Sequence, residues 1–246
     1  MNQITQALRS TTLAATFALA TVCALPASAA SVTVGNNDGD NCYPFSCLAS
    51  DVGGTGSNYQ QIYTSTAFSG ITSFNTISFF LSTGGLMDSA SYTISFSTSS
   101  KAVNGLEGIG ANNVGGDSQL FGTFSVSGSM PSVLSFTGNS FSYDPSMGNL
   151  LMNVDVFGLT QSNGYSSFFQ ADYTGTDTQR YFAYGGSPEG SVGVGALRTE
   201  FSNVSAVPEP ETYAMMLAGL GLLGFAARRR KQKAATFNLQ VHHALS

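Results

Sequence analysis

Carboxylates are the side chains in residues 31–206 best suited to acid–base chemistry. This segment contains no histidine, because the two histidines of the chain lie within its last five residues. A Ser-His-Asp triad and a histidine-ligated zinc site are therefore excluded there. Glu107, Glu189 and Glu200 could still supply the carboxylate pair of a glycoside hydrolase. Nothing in their spacing marks a matched pair, so we predict that the protein is not an enzyme.

A run of oxygen-bearing side chains from Asn36 to Asn41 could bind calcium. Ca²⁺ prefers oxygen ligands in a flexible loop, and Asp38 and Asp40 would supply the charge. The run does not fit an EF-hand loop, because Asn41 stands where the turn glycine is needed and Cys47 where the glutamate is needed. We predict a polar turn and no metal or other cofactor, with Asp38 and Asp40 as the alternative calcium ligands.

Aromatic side chains crowd residues 165–184. Aromatic faces beside planar polar groups are suited to carbohydrate binding. The strands of a β-core need aromatic residues too, and the chain contains no Trp. We therefore expect core packing, with a sugar-stacking surface as the alternative. The residues concerned are Tyr165, Phe168, Phe169, Tyr173, Tyr181, Phe182 and Tyr184.

The first thirty residues are typical of a signal peptide. A polar start with one positive charge is followed by an apolar run, and Ala27-Ser28-Ala29 supplies the small-x-small pattern of signal-peptidase cleavage. We predict a signal peptide over residues 1–30 and a mature chain that begins near Ser31.

Cys42 and Cys47 remain after that cleavage, since Cys23 lies in the predicted signal peptide. Two cysteines five residues apart in an exported protein most simply form a local disulfide. A metal site is the alternative, but two thiolates without further ligands are too few. We predict a Cys42–Cys47 disulfide.

The elements that must position these residues are β-strands. Apolar and hydroxyl side chains alternate in about ten short segments, such as residues 92–96, 120–126 and 150–156, with Gly, Asn, Asp and Pro between them. The spacing favours an all-β fold over residues 31–206, an antiparallel β-sandwich of jelly-roll-like type.

The body of the chain, residues 31–206, is acidic. It holds three basic and twelve acidic side chains, a net charge of −9. Binding to nucleic acid requires clustered Lys and Arg, so this charge argues against a nucleic-acid partner.

The C-terminal region differs from the body. Pro208-Glu209-Pro210 precedes an uncharged apolar run over residues 213–227, which ends at Arg228-Arg229-Arg230. The run predicts a single apolar transmembrane helix, short for a bilayer core that needs about twenty residues. The arginines are the cationic flank expected on the cytoplasmic side.

These features closely resemble the PEP-CTERM sorting signal of exported proteins from Gram-negative bacteria. The resemblance implies that an exosortase recognises the tail of an inner-membrane intermediate, and that the protein then reaches the cell surface or extracellular matrix. The residues of the implied signal are Pro208, Glu209, Pro210, Arg228, Arg229 and Arg230.

The chain thus divides into a signal peptide (1–30), a β-sandwich ectodomain (31–206), the sorting signal with its helix and basic stop (207–233) and a C-terminal extension (234–246). The expected partners are signal peptidase, exosortase and, by the resemblance, the extracellular polysaccharide of a biofilm. The expected function is that of a non-enzymatic surface or matrix protein, with a carbohydrate-binding module, calcium-dependent or not, as the alternative.

Overall fold

The fold is known from a computed structural model. It describes residues 31–48, 56–68, 73–165, 167–203, 219–221, 223–224 and 228. The predicted signal peptide, the Pro-Glu-Pro segment and the C-terminal extension lie outside these residues, and the domain boundaries stay predictions. The predicted apolar helix also falls mostly outside them, although residues 219–221 and 223–224 are helical. Within the described residues no helix is long and apolar enough to span a bilayer.

The described body is made of antiparallel β-strands with four short 3-10 helices. Its all-β character is confirmed. The strands are β1 Ser31–Val34, β2 Gly39–Asn41, β3 Ser57–Tyr63, β4 Ser73–Thr83, β5 Leu86–Ser99, β6 Gln119–Ser129, β7 Val133–Ser142, β8 Asn149–Gln161, β9 Phe168–Asp172, β10 Thr178–Ala183, β11 Ser191–Gly193, β12 Ala196–Leu197 and β13 Thr199–Ser202. The 3-10 helices are Ser65–Phe68, Val103–Gly105, Gly110–Asn113 and Pro145–Met147.

These strands form two sheets. The first runs β1-β13-β4-β9-β12, with β7 paired to β4 and β2 paired to β9. The second runs β11-β10-β3-β8-β5-β6. β1 pairs with β13 from Ser31 opposite Ser202 to Val34 opposite Thr199, so the first and last described strands lie side by side.

The inner faces of the two sheets share one hydrophobic core. Phe74 of the first sheet meets Phe96 of the second with ring centroids 4.9 Å apart, and Phe201 meets Tyr63 at the same distance. The alternation in the sequence explains this arrangement, because successive side chains of a strand point to opposite faces. In β5, for example, Ile94 is fully buried, whereas its neighbour Thr93 is partly exposed on the outer face.

The loop at residues 41–48 is entirely buried. Its Cys42 and Cys47 are joined by a disulfide with Cα atoms 5.4 Å apart. Between them, Phe45 is inaccessible to solvent and packs against the rings of Phe79, Tyr92, Phe136 and Phe169 at 5.1–5.7 Å. The loop is therefore part of the core of the body.

Candidate functional site

Two of the three glutamates singled out in the sequence line one surface depression. Glu107, Gly108 and Ile109 form one wall, and Glu189 and Gly190 form the other, around a volume of about 360 Å³. The walls are joined by a 2.8 Å hydrogen bond from the Gly190 amide to the Gly108 carbonyl. Glu200 lies elsewhere, in β13, opposite Ser78 of β4. The structure thus pairs Glu107 with Glu189 in one site and leaves Glu200 out of it.

The loop that carries Glu107 is held on the outer face of β3 by Asn113. The Asn113 side chain is buried, donates to Gln60 Oε1 (2.9 Å) and accepts from the Glu107 amide (2.8 Å). Gln60 in turn donates to the Gly110 carbonyl at 2.9 Å. These bonds satisfy both amide side chains in a buried position, so the wall of the depression is fixed by the sheet beneath it.

The Glu107 carboxylate is already occupied. It accepts from Lys101 Nζ in an ion pair and from Asn112 Nδ2 at 2.7 Å. These two donors, Lys101 foremost, hold the pKa of Glu107 below its ordinary value. A glycosidase acid needs a raised pKa. In this state Glu107 is therefore unsuited to donate a proton.

The calcium candidates serve a structural purpose. Asp38 Oδ1 accepts from the Tyr173 amide at 2.8 Å, and the Tyr173 hydroxyl donates to the Asp40 carbonyl at 2.8 Å. The predicted polar turn continues into a strand, since Gly39–Asn41 forms β2 and pairs with β9. In the described part of the chain no three His, Cys, Asp or Glu side chains gather closely enough to hold a metal ion.

The predicted aromatic group is divided by the fold. Phe169 is buried in the core between the sheets and Tyr181 in a second, smaller hydrophobic cluster, while Phe168 and Phe182 are half-buried. Three tyrosines are instead exposed: Tyr165 by 65%, Tyr173 by 43% and Tyr184 by 39%.

Tyr184 and Phe182 lie beside the glutamate depression. They line a second depression of about 330 Å³ with Ser187, Glu189 and Ser191. The two depressions share Glu189 and Gly190, and we call them together the Glu189 groove. It combines aromatic rings, hydroxyls and carboxylates, which are the groups that can bind a sugar.

The three cations of the body all have partners within it. Lys101 is bound to Glu107. Arg180 donates to the Val194 carbonyl at 2.8 Å and to Asn41 Oδ1 at 3.0 Å. Arg198 donates to Gln170 at 3.0 Å and stacks over Phe80. Because its three cations are already bound to groups of the protein and its net charge is −9, the body attracts an anionic ligand only weakly.

Hydroxyl groups pair across strands on the outer face of each sheet. Between β4 and β7, Thr76 bonds Thr137 at 3.0 Å and Ser78 bonds Ser135 at 2.8 Å. Between β5 and β6, Thr93 bonds Thr123 at 3.1 Å. The alternation in the sequence predicts outward hydroxyls, but only the strand register brings them into pairs. We call these pairs the hydroxyl ladders.

Sequence reasoning did not single out Asp88, a buried carboxylate in β5. Its Oδ2 accepts from the Leu48 amide at 2.8 Å and its Oδ1 from the Asn163 amide. Burial raises the pKa of Asp88, and the two amide bonds only partly offset this. The signal available in the sequence is an aspartate inside an otherwise uncharged strand. Its role here is to tie the disulfide loop and the loop at Asn163 to β5.

Comparison with known proteins identifies the C-terminal region. Residues 206–231 match the model of the PEP-CTERM protein-sorting motif. The match includes the predicted signal residues, of which Arg228 is among the described residues and is helical. No curated protein and no solved structure matches the chain. The chain therefore carries a sorting motif that supports export, processing by an exosortase and sorting to the cell surface.

Proposed function

We propose that this chain, an exported protein with an exosortase sorting motif, is a non-enzymatic matrix protein associated with extracellular polysaccharide. The observation that carries the proposal is the three hydroxyl pairs of the hydroxyl ladders on the outer sheet faces, in which Ser135, Thr137 and Thr123 are exposed while Thr76 and Ser78 are buried beneath them. Hydroxyls both donate and accept hydrogen bonds, so such a face can exchange its water for the hydroxyls of a hydrated glycan. Each exchange contributes little to the binding free energy, so binding would be weak and spread over many contacts.

The charge of the body favours a neutral glycan. A polyanionic glycan would meet a surface of net charge −9 whose cations are already engaged. The setting we infer is the polysaccharide of a biofilm, reached after signal peptidase and exosortase have processed the two ends.

The order of the strands supports a jelly-roll-like sandwich as the scaffold. Eight strands fall into the orders β1-β13-β4-β7 and β3-β8-β5-β6. This is how two Greek keys interleave in a jelly roll. Such a scaffold has two broad outer faces, which suits contact with an extended polymer.

A carbohydrate-binding module is the second candidate function, and the Glu189 groove favours it. The exposed Tyr184 ring and the Glu189 carboxylate could hold one or two sugar units. The Phe182 ring contributes less, because the Arg180 guanidinium lies over it, 4.9 Å from its centroid. The calcium-dependent form has less support, because Asp38 is bound to the Tyr173 amide.

Co-sedimentation with polysaccharide tests the proposal. Protein from cells that express the full chain should co-sediment with neutral matrix polysaccharide, and Tyr184→Ala should change this as little as the control Tyr165→Ala. Failure to co-sediment would refute the matrix proposal. A glycan array distinguishes the carbohydrate-binding module from the matrix protein, because selective binding that Tyr184→Ala abolishes would establish a module. Repeating the array with EDTA shows whether that binding depends on calcium.

A further inference from the structure

We propose that this protein self-associates through strand β6, which would pair with β6 of a second copy and extend the six-stranded sheet across the two molecules. This inference goes beyond the association with polysaccharide and does not rest on it.

Among the described strands, β6 is the last of its sheet and pairs only with β5. At its beginning the outer edge is occupied, because Asn139 of β7 donates to the Leu120 carbonyl at 3.1 Å. Further along, in the part of the chain that the structure describes, no backbone group from Thr123 to Ser129 bonds to anything beyond β5. These residues present a row of free donors and acceptors, which is the template for strand addition.

Two of the usual protections of an edge strand, charges and prolines, are missing from β6. Natural edges carry charges, prolines or bulges that prevent pairing with another chain. No charged residue occurs from Ser118 to Tyr143, and the one proline of that segment, Pro131, lies outside the strands. The register between β5 and β6 shifts at two places, and between these shifts Gly122–Val126 pairs regularly with β5. The edge is therefore regular and uncharged in its middle.

The inner side of β6 is incompletely covered. Phe124 and Val126 pack against the core but remain partly exposed, whereas Tyr92 and Ile94 on the neighbouring strand β5 are fully buried. A strand added beside β6 would remove the remaining apolar surface of Phe124 and Val126 from water. Burial of apolar area would then add to the backbone hydrogen bonds.

Charge makes a second copy the fitting partner. Two molecules of net charge −9 repel one another over most of their surface. The segment between Asp117 and Asp144 is free of charge, so here two copies can approach without facing like charges. An antiparallel pair of identical β6 strands is also self-complementary, as a two-fold dimer requires.

Paired charge variants test this interface. Ser125 and Ser127 are exposed on β6, and their side chains make no hydrogen bond in the described structure. We would compare wild type, Ser125→Glu with Ser127→Glu, and Ser125→Lys with Ser127→Lys, each as protein released from cells expressing the full chain. Ala102→Glu with Ala111→Glu adds the same charge on an exposed loop and is the matched control.

Sedimentation velocity over a range of concentrations gives the readout. We expect wild type and the control to associate, each like-charged variant to associate roughly tenfold more weakly, and an equimolar mixture of the Glu and Lys variants to recover association. A wild type that stays monomeric overturns the proposal, as do like-charged variants that associate like wild type while circular dichroism shows them folded. A mixture that does not recover association overturns the β6-to-β6 geometry.

Discussion

Gln61 pairs with both backbone groups of Leu197. Its Oε1 accepts from the Leu197 amide at 2.8 Å, and its Nε2 donates to the Leu197 carbonyl at 2.6 Å. Gln61 belongs to β3 in the six-stranded sheet, and Leu197 belongs to β12 in the other sheet. The Gln61 side chain thus makes the two backbone hydrogen bonds that a neighbouring strand would otherwise make with Leu197, and it links the two sheets. All four atoms are buried among the core residues, where unpaired polar groups are costly.

Gln61→Leu should therefore destabilise the body strongly. It leaves the Leu197 amide and the Tyr59 hydroxyl without their partner in the core, whereas the Leu197 carbonyl keeps a hydrogen bond from Thr199 Oγ1. The expected cost is about 2 kcal/mol or more in the free energy of unfolding. Chemical denaturation followed by circular dichroism measures this. Gln161→Leu, on an exposed side chain, is the control and should change the midpoint little. Equal midpoints for the two variants would contradict the role given to Gln61.

Removal of Phe45 should cost more stability than removal of the disulfide that flanks it. Phe45→Ala takes a fully buried ring from four aromatic contacts, a loss of about 3–5 kcal/mol. Cys42→Ala with Cys47→Ala removes a disulfide between cysteines only five positions apart, and we expect the free energy of unfolding to fall by about 2 kcal/mol. Denaturation midpoints show which variant loses more stability. A larger loss in the cysteine variant would refute the idea that the loop stabilises the body mainly through the burial of Phe45. Intact mass before and after reduction checks the disulfide itself.

Asp88 should make stability depend on pH. Because burial raises its pKa in the folded protein above that in the unfolded chain, its contribution is greatest below its ordinary pKa of about 4. It falls as the pH rises through the raised pKa. Asp88→Asn should abolish this decline, whereas Ser89→Ala should keep it. Urea denaturation between mildly acidic and neutral pH compares them, and an unchanged slope in Asp88→Asn would show that another group is responsible.

The body should hydrolyse no polysaccharide, peptide or ester. Within the Glu189 groove, Lys101 keeps Glu107 ionised and engaged, so no proton donor accompanies Glu189 there. Should turnover of a glycan appear, it would depend on this pair. In that case Glu107→Gln or Glu189→Gln would abolish it, while Glu200→Gln, outside the groove, would not. Turnover lost in this pattern by folded variants would establish an enzyme.

Pro208→Ala with Glu209→Ala should leave uncleaved protein in the inner membrane. These residues lie within the matched sorting motif, and the Pro-Glu-Pro sequence is the part of that motif that we expect an exosortase to recognise. Immunoblots of membrane and released fractions measure this. Thr236→Ala with Asn238→Ala, beyond the motif, should be released normally. Normal release of the Pro208 and Glu209 variant would remove the proposed role of this segment.

The strands were predictable because only one face of each sheet is buried, so that apolar and polar side chains alternate along the strand. β5 is the clearest case, with Tyr92, Ile94 and Phe96 alternating with hydroxyls. The partners of each strand were not predictable, because register depends on contacts between distant residues. Gln61 and Leu197 are separated by 136 positions, and neither carries a local sign of the other.

The candidate site likewise depends on contacts between distant residues, which the sequence does not reveal. The three glutamates were identifiable by type, but their grouping depends on the loop held by Asn113, which places Glu107 beside Glu189 and not beside Glu200. The spacing of Cys42 and Cys47 predicts a local disulfide, but nothing in the local sequence indicates that the loop at residues 41–48 is buried. Its burial follows from the space between the sheets, which Phe45 fills.

The pairing of β1 with β13 sets the order in which the domain can complete itself. β1 is the first described strand to leave the ribosome, yet its only strand partner in the described structure is the last, β13. β1 therefore has no hydrogen-bonded neighbour until almost the whole body has been made and exported. The sorting motif begins at residue 206, just after β13 ends at Ser202. Until β13 has been exported it cannot insert between β1 and β4, and the first sheet stays incomplete. The body can therefore finish folding only at about the time when the sorting motif is exported.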